Sequence, residues 1–254
     1  MNGLRITLPE SRARACSRAK LHASLAAGVA AAIACTSLSW TRTARADEES
    51  GLAIGARVAY AVPFGDAQQE VRPDGTTTTT SMSSFQRGMI PIWFDAGYRF
   101  NPSIYLGLFY QYAPTVPPTN NCAAPGLSSV SGRTTCDGYE QRFGVEVHYH
   151  FRPKEFVDPW VGLGLGMEMS QLNHSTGTSQ DTGSFQAWAP QVDLQLGSDL
   201  RLSKLIPFGP FLDLSLAQFG TENTYDPNNN GSPVAFNKTI HGWFTFGLRA
   251  QFNL

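Results

Sequence analysis

Residues 139–151 read Tyr-Glu-Gln-Arg-Phe-Gly-Val-Glu-Val-His-Tyr-His-Phe, and no other stretch restricts the fold as tightly. Tyr139, Gln141, Phe143, Val145, Val147, Tyr149 and Phe151 hold the odd positions; Glu140, Arg142, Gly144, Glu146, His148 and His150 hold the even ones. A period of two marks an extended strand with one apolar and one polar face. In a soluble sandwich the apolar face would point into a core and the polar face into water. In a membrane barrel the apolar face meets lipid and the polar face lines the lumen. Aromatics at both ends of the apolar row, with aliphatics between them, favour the barrel, whose lipid-facing band is bordered by aromatic girdles.

The alternation recurs along the chain. Over residues 52–62, Leu52, Ile54, Ala56, Val58, Tyr60 and Val62 face one way, and Ala53, Gly55, Arg57, Ala59 and Ala61 the other. Residues 89–100 turn Trp93, Asp95, Gly97 and Arg99 inward, and a tight Asn101-Pro102-Ser103 turn leads straight into a strand at 104–112. After the central strand come 160–169, 186–198, 208–219 and 239–254, with Glu168, Asp193, Asp213 and Arg249 among their inward residues. Gly162, Gly164 and Gly166 share one inward face; the bulky Glu146, His148 and Arg142 of the neighbouring strand would need the room they leave.

These strands number eight, and their connections alternate: long and polar after the first, third, fifth and seventh, short after the others. Outer-membrane barrels keep short turns on the periplasmic side and long loops outside, which places both termini in the periplasm. The sequence therefore predicts an all-β, eight-stranded antiparallel up-and-down transmembrane β-barrel. The long stretches, including the threonine run 76–80 and residues 170–182, read as exposed loops.

Residues 1–46 have the pattern of a cleaved signal peptide, leaving 47–254 as the barrel. Arg5, Arg12, Arg14, Arg18 and Lys20 precede a short apolar run at 25–34, and Ala44-Arg45-Ala46 supplies the small residues of a cleavage site before Asp47. The run is well short of the ~20 residues that span a bilayer, and Ala32-Ile33-Ala34-Cys35 is a weaker, lipoprotein-like alternative site. The leader holds seven of the 19 Lys+Arg and one of the 20 Asp+Glu, so the remaining chain has 12 basic and 19 acidic residues and a formal net charge of −7. That balance argues against a nucleic-acid partner. Cys122 and Cys136 remain after cleavage, and an even number of cysteines in an oxidising compartment predicts a disulfide.

Gly51-Leu52-Ala53-Ile54-Gly55-Ala56-Arg57 with Pro63-Phe64-Gly65-Asp66, Gly97-Tyr98-Arg99, and Pro159-Trp160-Val161-Gly162-Leu163-Gly164 resemble the strand motifs of the small outer-membrane barrels grouped with OmpA, OmpX and OmpW. The resemblance implies outer-membrane localisation in a Gram-negative envelope, insertion by the barrel assembly machinery, and contact with membrane lipid and lipopolysaccharide. Leu254 stands where that group usually ends in Phe, and no peptidoglycan-binding domain follows the barrel, so wall tethering is not implied.

The candidate site is the inward polar row: Arg57, Asp95, Arg99, Glu140, Arg142, Glu146, His148, Glu168, Asp193, Asp213 and Arg249. Mixed signs in a barrel this narrow predict a salt-bridge network filling the lumen; a thin polar pathway is the competing reading. A register whose paired position numbers sum to 310 sets Arg142 against Glu168, whereas 308 would oppose Glu140 and Glu168. His148 and His150 share an inward face but lack an evident third close ligand, so no metal is predicted. Asp226-Pro227-Asn228-Asn229-Asn230-Gly231 resembles half a calcium loop, yet Asn237 occupies the bidentate position. Ser175 follows His174 without an orienting partner, and no catalytic constellation or cofactor motif is present. The expected function is a non-catalytic barrel with a structural or surface-interaction role through its long loops. The alternative is a narrow channel for small or hydrophobic solutes, as OmpW-like proteins are thought to be.

Overall fold

The computed structural model describes residues 50–71, 76–116, 134–176, 182–201, 206–219, 221–225 and 239–254. Its elements, in chain order, are β1 (Gly51–Val71), β2 (Thr77–Ser81), α1 (Met82–Phe85), β3 (Gly88–Met89), β4 (Ile92–Asn101), β5 (Ile104–Val116), β6 (Thr134–His150), β7 (Val157–Thr176), β8 (Thr182–Leu200), β9 (Phe208–Gln218), β10 (Thr221–Tyr225) and β11 (Ile240–Asn253). Every pairing is antiparallel, and the ladder closes through β1, β4, β5, β6, β7, β8, β9 and β11 back to β1. No helix among the described residues is long and apolar enough to cross a membrane.

The three short strands β2, β3 and β10 add no further staves. β3 carries on β4 in the same register, Ala61 facing Met89 as Val58 faces Ile92. Pro91 interrupts them because it has no N–H for the ladder, although its carbonyl still accepts from Ala59 at 3.1 Å. β10 carries on β9 along β8 after a shift, and Pro190 lies at that break. β1 follows β11 as far as Gly65, whose φ of 79° only glycine adopts without strain. Beyond it the strand bulges and pairs with β2.

Stepping from Ile54 through its successive partners Ala96, Leu108, Val145, Leu165, Val192, Leu216 and Gly242 returns to β1 at Phe64, ten residues further on. Eight staves with a shear of ten tilt by about 40°, which leaves an interior just wide enough for side chains.

The strands outrun the apolar pattern at the end that carries the long connections. β7 and β8 pair through residues read as loop, and Thr77–Ser81 is strand, not loop. Apolar alternation stops where lipid stops, but the hydrogen-bonded ladder needs no lipid to continue.

Parity sorts the side chains as expected. The even-numbered row, from Leu52 to Leu254, is exposed at 37–72% for most of its large apolar members, with Trp188 and Leu200 half-buried, whereas the odd-numbered residues of β1, β4, β5, β8, β9 and β11 and the even-numbered residues of β6 and β7 point inward. On β6 and β7 the exposed apolar row is the odd one, including Phe143, Val145, Leu163 and Leu165. Aromatic pairs ring the outer surface at two heights. Tyr98–Phe100 (5.3 Å) and Tyr149–Phe151 (5.2 Å) lie toward the short turns, with Tyr60–Phe246 (5.8 Å) and Tyr112–Tyr139 (5.7 Å) toward the long connections.

Candidate functional site in the barrel lumen

The inward polar row fills the barrel in three tiers. In the middle, Arg57 donates from Nη2 to Asp95 (2.9 Å) and Glu146 (2.5 Å), and from Nη1 to Gln195 (2.9 Å). Gln195 passes the contact on, donating to Glu146 at 3.2 Å and lying 3.2 Å from His148 Nε2. The Arg57 guanidinium also sits 5.1 Å from the Trp93 ring centre and 5.7 Å from that of Phe211. Desolvated cation–π contacts of this kind reinforce the ion pairs.

Toward the long connections, Arg142 pairs with Glu140 and with Glu168, the latter at 3.0 Å, and donates to Ser215 at 3.0 Å. Glu168 meets His241 Nε2 at 2.9 Å, and the His241 ring stacks on Phe219. Asp193 accepts from Gln191 at 2.6 Å, while neither carboxylate oxygen of Asp213 has a hydrogen-bond partner.

Toward the short turns, Arg99 and Arg249 both donate to Gln251, at 2.9 and 2.8 Å, and Arg99 also reaches the Pro102 carbonyl. His150 lies 2.8 Å from Asp158, which accepts from the Arg152 N–H and so ties down the turn between β6 and β7. Tyr105, His148, Trp160 and Arg249 form a continuous stack linking this tier to the middle one.

The β6–β7 ladder has the register that sums to 310, with Arg142 opposite Glu168, Glu146 opposite Gly164 and His148 opposite Gly162. A Cβ at Gly162 would stand 2.6 Å from His148, as expected. At Gly164 the room goes to Asp193 of β8 (2.8 Å), not to Glu146. Glycines on one stave serve both neighbours, because tilted side chains lean across the ladder.

His148 and His150 have ring centres 6.5 Å apart and take different partners, and His241 bonds Glu168, so the three histidines converge on no common point. Tyr105, Phe109, Trp160 and Phe211 complete the inner surface, yet their apolar character hid them in the sequence; only their parity with Gln111, Glu168 and Asp213 marks them as inward. Asp158 and Asp199 were also missed, since they sit where strand meets turn. Residues 1–46, expected to be a leader, together with Cys122, the side chains of Cys136, His174 and Ser175, and residues 226–231, lie outside the described residues.

Arg57, Asp95, Arg99, Glu140, Arg142, Glu146, His148, Glu168, Asp193, Asp213 and Arg249 are all at most 3% exposed, while the apolar row outside is bare. A wall that is apolar outward and ionic inward is stable only with lipid around it. The chain folds as an outer-membrane β-barrel. Its staves follow the architecture expected from the OmpA, OmpX and OmpW resemblance. No protein-family model and no curated relative matches it. Among solved structures, it is similar to Neisserial surface protein A at 14% identity and a TM-score of 0.46, over 81% of this chain and 99% of that one. The outer-membrane protease OmpT of Escherichia coli gives 11% and 0.46, over 84% and 99%. The outer-membrane protein AlkL, solved in lipid bilayers, gives 16% and 0.45, over 84% and 94%. Identities of this size transfer no activity to this chain; the fold rests on the closed ring itself.

The outer mouth is covered from within the chain. Residues 76–89 turn back over it, Met82 and Met89 are buried, and Gln86 donates to Ser170 on β7 at 3.3 Å.

Proposed function

We infer that the protein is a non-catalytic outer-membrane barrel, a sealed membrane body that presents its long connections to the exterior for interaction with surface ligands and lipopolysaccharide. The observation that carries this is the burial of the whole inward charged row: with exposures of 0–3%, water has almost no access between the tiers. An ion would have to part Arg57 from Asp95 and Glu146, and Arg142 from Glu140 and Glu168, all held within 3.0 Å. Eight strands leave no spare width for a bypass. The same seal speaks against the narrow-channel alternative and against chemistry at Glu168 and His241, because no substrate reaches a fully buried pair. Purified protein in planar bilayers is expected to give no reproducible conductance step. A reproducible single-channel step from the folded protein would overturn the sealed-barrel reading.

A further inference from the structure

The cover over the mouth is built differently from the floor beneath it. β2 is tied to the far end of β1, and β3 to β1 and β5, so the intervening α1 and Gln86 are anchored at both ends. Between those anchors the segment reaches across the opening, since Ser170 stands on β7, four staves from β1 and half-way round the ring. Met82 belongs to a buried apolar cluster with Ala61, Ala113, Ala187, Ala217 and Trp243. The wall at this height is lined largely by alanines from β1, β5, β8 and β9, and an unbranched methionine fills the space that such short side chains leave.

Ser81, at the end of β2, donates from Oγ to the Gly65 carbonyl at 3.4 Å, and Ser84 donates to the Ser81 carbonyl at 2.6 Å; beyond Ser81 few bonds tie the segment to the wall. α1 is a single turn with no side-chain cap, no acidic residue in its first turn and no basic residue in its last, and a helix that short does not persist by itself. Ser83 and Ser84 face water. The bond from Gln86 to Ser170 is long for an amide donor, and Gln86 Oε1 is buried without a hydrogen-bond partner. Beside it, on β6, β7 and β11, stands the buried tier of Glu140, Arg142, Glu168 and His241, in which Glu140, Glu168 and His241 are the ladder partners of Ala113, Ala189 and Ala217. The ionic floor beneath both is the middle tier, where Arg57 holds Asp95 and Glu146.

We propose that residues 82–86 form a removable plug over a blind apolar cup. The plug is seated when Met82 occupies the alanine-walled space and lifted when that contact and the Gln86–Ser170 bond are lost, while the ionic floor stays shut in both positions. Lifting it changes what the exterior can reach without opening a path to the periplasm. The plug is an element with two positions, held by few buried contacts, as local opening requires.

The test uses Cys122→Ser/Cys136→Ser protein in proteoliposomes, with Ala217→Cys on the cup wall reacted with a membrane-impermeant maleimide. Labelling is expected to be slow with the native plug. Adding Met82→Ser or Gln86→Ala raises the lifted fraction, and with it the rate, by about tenfold, the effect of losing one buried contact or hydrogen bond. Met82→Leu, which refills the space, keeps labelling slow, and no variant gives a conductance step. Equal rates in all variants, whether fast or undetectable, would overturn the plug. Fast labelling of Met82→Leu would overturn the space-filling role, and a conductance step in a lifted variant would overturn the closed floor. Heat-modifiable migration on gels verifies folding, and Gln86→Ala keeps the test open should Met82→Ser misfold.

Discussion

Arg57→Ala removes the cation at the centre of the middle tier. Its guanidinium holds Asp95 at 2.9 Å and Glu146 at 2.5 Å, and all three side chains are wholly out of water. Removing one partner of a buried ion pair costs about 3–5 kcal/mol, because the other charge stays desolvated and uncompensated. The contacts with Trp93 and Phe211 add about 1–2 kcal/mol at most, and they overlap with the first figure, so the two do not sum. Glu146 keeps the Gln195 amide as a donor at 3.2 Å, whereas Asp95 Oδ1 loses its Arg57 donor and Oδ2 has none, so Asp95 carries most of the penalty. The expected loss is about 4 kcal/mol, read from urea unfolding in lipid vesicles by tryptophan fluorescence. Arg57→Met/Asp95→Asn/Glu146→Gln deletes the charges together at similar volume and should return to within about 1–2 kcal/mol of the native protein. A single variant within about 1 kcal/mol of native would mean that the carboxylates reach water, contrary to a sealed lumen. A triple variant as damaged as the single one would mean that packing, not uncompensated charge, sets the cost.

Gly162→Val should destabilise by about 1–3 kcal/mol, since His148, clamped between Tyr105 and Trp160, cannot yield the space; a neutral result in the same unfolding assay would count against that clamp. A double-mutant cycle of Arg142→Met and Glu168→Gln is expected to return a coupling of about 1–3 kcal/mol, and a coupling near zero would show that the pair contributes nothing beyond its separate members. Cys122 and Cys136 are proposed to be joined, so alkylation without reductant should label neither; Cys122→Ser/Cys136→Ser would then cost up to about 3 kcal/mol, mostly in the order of the loop. Residues 1–46 are proposed to be a cleaved leader, and N-terminal sequencing of protein from outer membranes should begin at Asp47.

Which side of the wall each residue occupies was legible in the sequence, because strand parity is local: one step along the chain reverses the face. That alone sends Arg57, Asp95, Arg142, Glu146, Glu168 and Arg249 inward and Val145, Leu165 and Leu196 outward, as found. The β6–β7 register was also within reach, since opposing Glu140 to Glu168 would set like charges face to face. Where strands end was not, because the hydrophobic signal follows the lipid and not the ladder. Contacts across the lumen were beyond sequence reasoning altogether. Arg57 meets Gln195 across 138 residues, Arg142 meets Ser215 across 73, and Gln86 meets Ser170 across 84. Each depends on the shear, the accumulated sum of eight separate registers around a ring that must close. An error of two residues at any one seam preserves every residue's face and still changes which charges meet inside. Parity therefore belongs to the chain, whereas the pairing of charges belongs to the closed barrel.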